Sequence, residues 1–178
     1  MGGYGAIRQF QAGRGRSLPR GQSTVRTYIR DFRKDTMSVH VRQLEQYFTN
    51  AVANSIDTTD LAGKSADEVR SATLSRSLTA FSICGLTGAS IAQAAAAVLD
   101  GSRDQGIDGC FFDESKNSLV FVQSKWHTNG TKTISKGDLL KFLHGIKLVL
   151  AANWDTFSEK FKRHKATIDQ ALLKPDVS

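Results

Sequence analysis

Polar side chains interrupt two short apolar runs in the stretch DQGIDGCFFDESKNSLVFVQSKW, residues 104–126. Asp108 precedes the first run, and Gln123 and Lys125 follow the second. A carboxylate and an amide oxygen are hard ligands of the kind that Mg²⁺ accepts. A lysine beside such an ion can position the attacking water and stabilise an anionic transition state. These residue types predict a metal site for hydrolysis; a plain ion pair between Asp108 and Lys125 is the alternative.

The polar break DESKN between the two runs predicts a β-hairpin. A loop centred on Ser115 and Lys116 places residue 108 opposite residue 123. Side chains alternate along a strand, so Lys125 then points to the same face as Gln123. The expected Cβ separations are about 5 Å for the direct pair and about 7 Å for the diagonal one. The register alone therefore predicts that the three side chains converge at one end of the hairpin.

The elements around the hairpin must cover its apolar faces and leave room for a ligand at the end that carries the three polar side chains. Both faces of the predicted strands are apolar, which favours helices on both sides. Gly106 and Gly109 flank Asp108 and allow another group to come close. Apolar spacing predicts five helices. They cover residues 37–56, Ser65 to a stop at Gly85, 87–101, 135–152 and 155–172. The apolar stripe of the fourth helix consists of Leu139, Phe142, Leu143, Ile146 and Leu150.

Only two strands are predicted with this pattern, and a two-stranded ribbon is rarely stable alone. Three completions of the sheet stay open at this point. A third strand lies within residues 128–134, or it follows residue 178, or a partner supplies it.

The charge of the chain is concentrated near its start. Residues 1–34 hold eight of the 24 lysines and arginines but one of the 17 acids, so they account for the whole net charge of +7. We interpret residues 1–23 as a flexible Gly/Arg-rich basic arm and residues 24–178 as the folded domain. The arm is either a plain disordered leader, a phosphate-binding segment that uses Arg14, Arg16 and Arg20, or an organelle transit peptide.

Composition bounds the cellular setting. No apolar run reaches the ~18 residues that a membrane span needs, and no signal-peptide pattern is present. Cys84 and Cys110 lie in apolar surroundings without CxxC spacing, which fits free thiols in a reducing compartment. The sequence therefore predicts a cytoplasmic protein that does not contact a membrane.

The motif GID, a hairpin and QSK resembles the PD-(D/E)xK nuclease superfamily, in the Q-x-K variant of Mrr-type restriction endonucleases. Residues 98–126, VLDGSRDQGIDGCFFDESKNSLVFVQSKW, are most similar to the N-terminal nuclease-like domain of abortive-phage-infection (AIPR) proteins. The resemblance implies an α/β fold with a restriction-endonuclease-like core, a small mixed sheet with a central hairpin flanked by helices. That core has a further strand, which here falls at or beyond the C-terminus, as in a truncated domain.

The same resemblance implies roles for the site residues. Asp108 is the metal ligand, Gln123 stands where most relatives carry Asp or Glu, and Lys125 is the catalytic lysine. The family also uses an acid on the first core helix, for which Glu45 is our choice. Asp100 and Asp104 flank the glycines and are further candidates to touch the site, or are ordinary loop residues.

The implied function is a Mg²⁺- or Mn²⁺-dependent endodeoxyribonuclease in anti-phage defence or restriction. DNA is the expected partner, with His127 as an additional phosphate contact. A homodimer and a C-terminal remainder of a longer chain are the other partners that this expectation admits. The alternative is a catalytically inactive nucleic-acid-binding or assembly module of a longer protein.

Overall fold

The computed structural model describes residues 38–174. The predicted basic arm, with Arg14, Arg16 and Arg20, lies outside the described residues. The described part is a mixed α/β structure in which helices flank one antiparallel hairpin. Its elements are α1 Val39–Tyr47, α2 Ala66–Thr87, α3 Ile91–Ala96, β1 Gly109–Asp113, β2 Ser118–Val122, α4 Lys136–Leu150, α5 Glu159–Lys162 and α6 Lys165–Leu173, with a π-helical turn Phe48–Val52 after α1 and short 3-10 turns at Ala53–Ser55, Thr59–Leu61 and Trp154–Thr156.

Serine side chains start the main helices. The Ser65 hydroxyl accepts the Glu68 backbone N–H at 3.3 Å, and the Glu68 carboxylate accepts the Ser65 N–H at 3.0 Å, so both halves of the predicted capping box are present. Ser135 starts α4 by accepting the Asp138 N–H at 3.1 Å. These caps satisfy backbone donors that a helix start leaves open, and they confirm two predicted helix starts.

Two predicted helix ends are wrong. The second helix continues through Gly85 to Thr87, because the left-handed residue that ends it is Gly88, with φ of 81°. The third helix ends at Ala96 instead of Gly101. The chain leaves the helix there to run beside β1: Cys110 donates its N–H to Ala97 O at 3.0 Å, and Val98 forms a bridge with Gly109.

The predicted helix over 155–172 is also wrong in its continuity. Phe157 is extended and fully buried, so the helix starts only after it, with Ser158 as the cap of α5. A turn at Arg163 and His164 then separates α5 from α6. Residues 128–134 contain no strand, so the third strand considered there is absent. Within residues 38–174 the sheet is a two-stranded antiparallel hairpin and not a mixed sheet.

The hairpin has the predicted register. Gly109 pairs with Val122 and Asp113 pairs with Ser118. The buried Asp113 carboxylate shapes the turn, since it accepts the backbone N–H groups of Ser115 at 3.1 Å and Lys116 at 3.3 Å. The turn therefore fixes which residues reach the far end of the hairpin together.

Helices cover both faces of the hairpin, as the apolar strands predicted. Phe111, Val120 and Val122 pack on a cluster from α1 to α3 that includes Phe48 and Ile83. Cys110, Leu119 and Phe121 pack on a second cluster, which contains Val149, Trp154, Phe157, Phe161 and Ile168. The hairpin is thus the layer between two apolar cores.

Glycines let two helices approach the hairpin end more closely than a side chain allows. A Cβ at Gly109 would lie 2.6 Å from Cγ2 of Thr79 on α2, and one at Gly106 would lie 2.9 Å from the backbone nitrogen of Phe142 on α4. A Cβ at Gly145 of α4 would lie 2.5 Å from the Gln105 carbonyl oxygen. The close approach predicted at Gly106 and Gly109 is therefore confirmed, with a helix on each side.

The close contact at Gly145 also sets the rotation of α4 about its axis. Part of the predicted apolar stripe is therefore wrong. The helix buries Gly145 and Val149, and Phe142 and Ile146 of the predicted stripe pack against the second cluster. The other three members, Leu139, Leu143 and Leu150, remain 48%, 45% and 60% exposed. The stripe prediction counted hydrophobic residues and could not weigh the glycine that comes closest to the loop.

We expect Gly145→Ala to destabilise the protein by about 1–3 kcal/mol, because the new methyl group meets fixed backbone. Gly85→Ala is the matched control. Its Cβ has nothing within 4 Å, and a helix gains up to about 1 kcal/mol from this change. Urea unfolding of both variants measures the difference, and an equal effect of the two changes would contradict the close approach of α4.

Candidate metal centre

The end of the hairpin opens into a polar cavity of about 190 Å³. This volume is below the ~300 Å³ of ordinary ligand pockets and suits a hydrated ion beside a small anionic group. Strand ends, the loop before β1 and the first turns of α4 form its walls. The cavity is lined by Ser75, Asp104, Gly106, Asp108, Gln123, Ser124, Lys125, Ile134, Asp138 and Lys141. The structure thus brings the predicted trio, Asp108, Gln123 and Lys125, into one cavity.

Asp108 lies where the strand pairing stops. Its N–H donates to Val122 O at 2.9 Å, and its carboxylate accepts the Ser124 N–H at 2.7 Å. The Ser124 hydroxyl in turn lies 2.6 Å from Oγ1 of Thr79, which ties the strand end to α2. The carboxylate thus accepts a hydrogen bond that a backbone carbonyl would accept if the strand pairing continued. This bond holds the carboxylate in a fixed position.

Burial raises the pKa of Asp108 to about 7. The Ser124 N–H opposes this rise in pKa, the nearby carboxylates of Asp100 and Asp104 add to it, and the Lys141 ammonium partly offsets it. Burial and the neighbouring carboxylates thus outweigh the Ser124 N–H and the Lys141 ammonium. A bound cation would supply additional positive charge.

Asp104 is the second carboxylate of the cavity. It accepts the Gly106 N–H at 2.7 Å within a loop in which Arg103 and Gln105 both have left-handed backbone angles. Ligand oxygens of Asp100, Asp104 and Asp108 all lie within 4.8 Å of one another. Asp100 is outside the cavity lining, and the buried Arg76 guanidinium holds it at 3.2 Å. Of these three acids, Asp104 and Asp108 are therefore the two that line the cavity.

Gln123 offers a neutral oxygen to the same cavity. Its Nε2 donates to the Asp138 carbonyl oxygen at 3.1 Å, which fixes the orientation of the amide. Its Oε1 is buried and has no hydrogen-bond donor within residues 38–174. A buried amide oxygen without a partner is unfavourable by about 1–3 kcal/mol. An amide and two carboxylates that line one cavity are the kind of oxygen donors that a hard divalent cation uses, so these residue types fit Mg²⁺ or Mn²⁺.

Lys125 does not pair with Asp108. Its Nζ lies 3.4 Å from Oδ2 of Asp138, which also accepts the Ser135 hydroxyl at 2.7 Å. The alternative of a simple Asp108–Lys125 ion pair is therefore wrong. Asp138 instead orients two members of the trio, Lys125 through its carboxylate and Gln123 through its backbone carbonyl.

Glu45 and His127, the other predicted site residues within residues 38–174, do not line the cavity. Glu45 is buried on α1 and is paired with Arg70. His127 lies on the loop after β2, where its carbonyl accepts the Gly130 N–H at 2.8 Å. The structure does not bring either side chain to the trio.

Sequence reasoning missed Asp138 and Lys141, and it named Asp104 without a definite role. The sequence assigns Asp138 to the first turn of a helix, and the structure confirms this position. Lys141 reads as an exposed helix residue three positions later. Both residues reach the site because α4 lies close to the loop before β1. The contacts at Gly106 and Gly145 set this distance, and no local sequence pattern encodes it.

No protein-family model, curated protein or solved structure matches the chain. Within residues 38–174, no helix has the length and apolar character needed to cross a membrane.

The raised pKa of Asp108 predicts how stability depends on pH without metal. Between pH 3.8 and about pH 7 the unfolded chain loses this proton before the folded one does, so rising pH favours unfolding. Asp108→Asn removes this effect. We expect its stability relative to wild type to increase by roughly 2–3 kcal/mol from pH 5 to pH 8.

Urea unfolding in EDTA at the two pH values measures this change. A difference between the two proteins that stays constant from pH 5 to pH 8 would contradict the burial of an ionisable Asp108.

Proposed function

We propose that this chain is a metal-dependent nuclease domain that hydrolyses DNA phosphodiester bonds, in anti-phage defence or restriction. One observation carries the proposal: Gln123, whose Oε1 is buried and has no hydrogen-bond donor within residues 38–174, lines the same cavity as Asp104 and Asp108. The resemblance of GID and QSK to the PD-(D/E)xK motif supports it, as does a hairpin whose end carries both halves of the motif. A restriction-endonuclease-like core around this hairpin is part of the proposal.

Asp108 and Gln123 would hold the cation, with Asp104 as the third ligand in the position that we expected Glu45 to fill. A bound Mg²⁺ or Mn²⁺ supplies Lewis-acid polarisation of a phosphoryl oxygen and a more acidic water. Hydrolysis forms a bond from the water oxygen to phosphorus, breaks the bond to the leaving oxygen, and transfers the water proton to that oxygen.

The chain's own residues orient the reactants. Lys125, with a side chain that is 54% exposed, can turn from Asp138 toward the attacking water or a phosphate oxygen. Asp138 keeps the ammonium at the cavity mouth until substrate arrives. Fixed charges in a partly closed cavity stabilise the growing negative charge without reorganisation of solvent.

Sequence features support the proposed partner and location. Arg14, Arg16 and Arg20 would add sequence-independent affinity for the DNA backbone, and a homodimer would allow both strands to be cut. Cys84 and Cys110 are free thiols, and burial raises the pKa of Cys110 to about 12, so that it is not reactive. Free thiols of this kind support a reducing cytoplasm.

A second function has one specific observation in its favour. Lys125 pairs with Asp138 and Lys141 pairs with Asp104, so two carboxylates near the cavity have counter-ions without any metal. This arrangement suits a catalytically inactive nucleic-acid-binding or assembly module. The two functions differ in whether the cavity binds a divalent cation and whether Lys125 is needed for strand cleavage.

Plasmid cleavage tests the proposed reaction. We expect the protein to nick or linearise supercoiled plasmid with Mg²⁺ or Mn²⁺ and to be inactive in EDTA. Lys125→Ala should slow cleavage by at least about 100-fold, because it removes a charge aimed at the transition state. Lys132→Ala is the control, since Lys132 is exposed and outside the cavity. Full activity of purified Lys125→Ala would remove this lysine from the mechanism.

Thermal unfolding tests metal binding without any substrate. A ligand that binds only the folded state stabilises it by about 2.7 kcal/mol at a hundred times its Kd. We expect Mn²⁺ to raise the unfolding midpoint of the wild type and to leave Asp108→Ala unchanged. An equal rise in both proteins would show that the ion binds elsewhere, and it would favour the inactive module.

A further inference from the structure

Lys141 reaches from α4 to the loop before β1, and its Nζ lies 3.0 Å from Oδ1 of Asp104. The two side chains of this ion pair differ in how freely they can move. The Lys141 side chain is 56% exposed, whereas that of Asp104 is 11% exposed and bonded to the Gly106 N–H. Because the carboxylate is fixed and the lysine is long and solvated, the lysine is the partner that can leave.

The backbone of Lys141 is held beside the cavity even if its side chain moves. A Cβ at Gly106 would lie 3.2 Å from the Lys141 carbonyl carbon, so helix and loop are in direct contact there. The ammonium can therefore swing within the cavity mouth without a shift of α4. It also lies close enough to Asp108 to lower the pKa of that carboxyl group.

We propose that Lys141 is the counter-cation of Asp104 in the metal-free protein, that it yields this carboxylate to the incoming Mg²⁺ or Mn²⁺, and that it then contacts a non-bridging oxygen of the substrate phosphate. The proposal rests on the nuclease function proposed above. Two cations on one carboxylate oxygen repel each other, and a divalent ion with several ligands holds that oxygen more strongly than an exposed ammonium does.

The proposal predicts opposite effects on binding and on cleavage. Without Lys141 the cation has no competitor at Asp104, so its affinity rises. The phosphate then lacks a positive contact, so hydrolysis slows. A lysine that only supported the structure of the site would lower both quantities when removed.

The experiment is calorimetric titration of Mn²⁺ into the intact chain at pH 8, paired with plasmid cleavage at saturating Mn²⁺. The variants are Lys141→Ala and Lys141→Met, which keeps part of the aliphatic stem. Lys147→Ala is the matched control, because Lys147 lies on the exposed side of the same helix and outside the cavity. Circular dichroism melts establish that each variant is folded.

We expect both Lys141 variants to bind Mn²⁺ about 3- to 10-fold more tightly and to cleave at least about 10-fold more slowly, with Lys147→Ala unchanged in both assays. Unchanged or weaker Mn²⁺ binding by both variants would overturn the exchange, as would a wild type that binds no Mn²⁺. A wild type that binds Mn²⁺ but does not cleave DNA would end the nuclease function and the phosphate contact, while the affinities would still decide the counter-cation role.

Discussion

The site depends on a close approach of two helices to the four residues Gly106, Ile107, Asp108 and Gly109. The glycines admit α4 on one side and α2 on the other, at distances that a Cβ would not allow. Between them Ile107 is fully buried, and Asp108 turns its carboxylate to the cavity. Helix α4 places Asp138 and Lys141 in the cavity that is also lined by Asp108, just before β1, and Gln123, just after β2. If α4 moved outward, the cavity would lose a wall and two of its five charged side chains, Asp138 and Lys141.

The same packing explains why the site holds unfavourable groups. Two apolar clusters cover the faces of the hairpin, while at its end partial burial raises the pKa of Asp108 and Gln123 Oε1 has no donor within residues 38–174. Lysines at the rim supply positive charge from solvent-exposed positions. The result is an oxygen-rich cavity in which we propose that a cation binds, while burial of apolar surface in the two cores stabilises the fold.

Local sequence patterns predicted the hairpin register, the apolar faces, the capped starts of α2 and α4, and the convergence of Asp108, Gln123 and Lys125. Each of these depends on neighbours along the chain or on one turn. The exit of residues 97–100 toward β1, the break at Phe157 and the rotation of α4 were not predicted. They depend on what each segment packs against. Asp138 was likewise assigned to a helix start, because its second role depends on the distance between α4 and the end of β2.

The central claim is that Asp104, Asp108 and Gln123 Oε1 form one divalent-cation site. The most direct measurement is an anomalous difference map from crystals of the protein soaked in Mn²⁺. The account predicts a peak within bonding distance of these three oxygens, with the Gln123 amide nitrogen still on the Asp138 carbonyl. A cavity without a peak at saturating Mn²⁺, or a Gln123 amide turned so that its nitrogen faces Asp108, would contradict it.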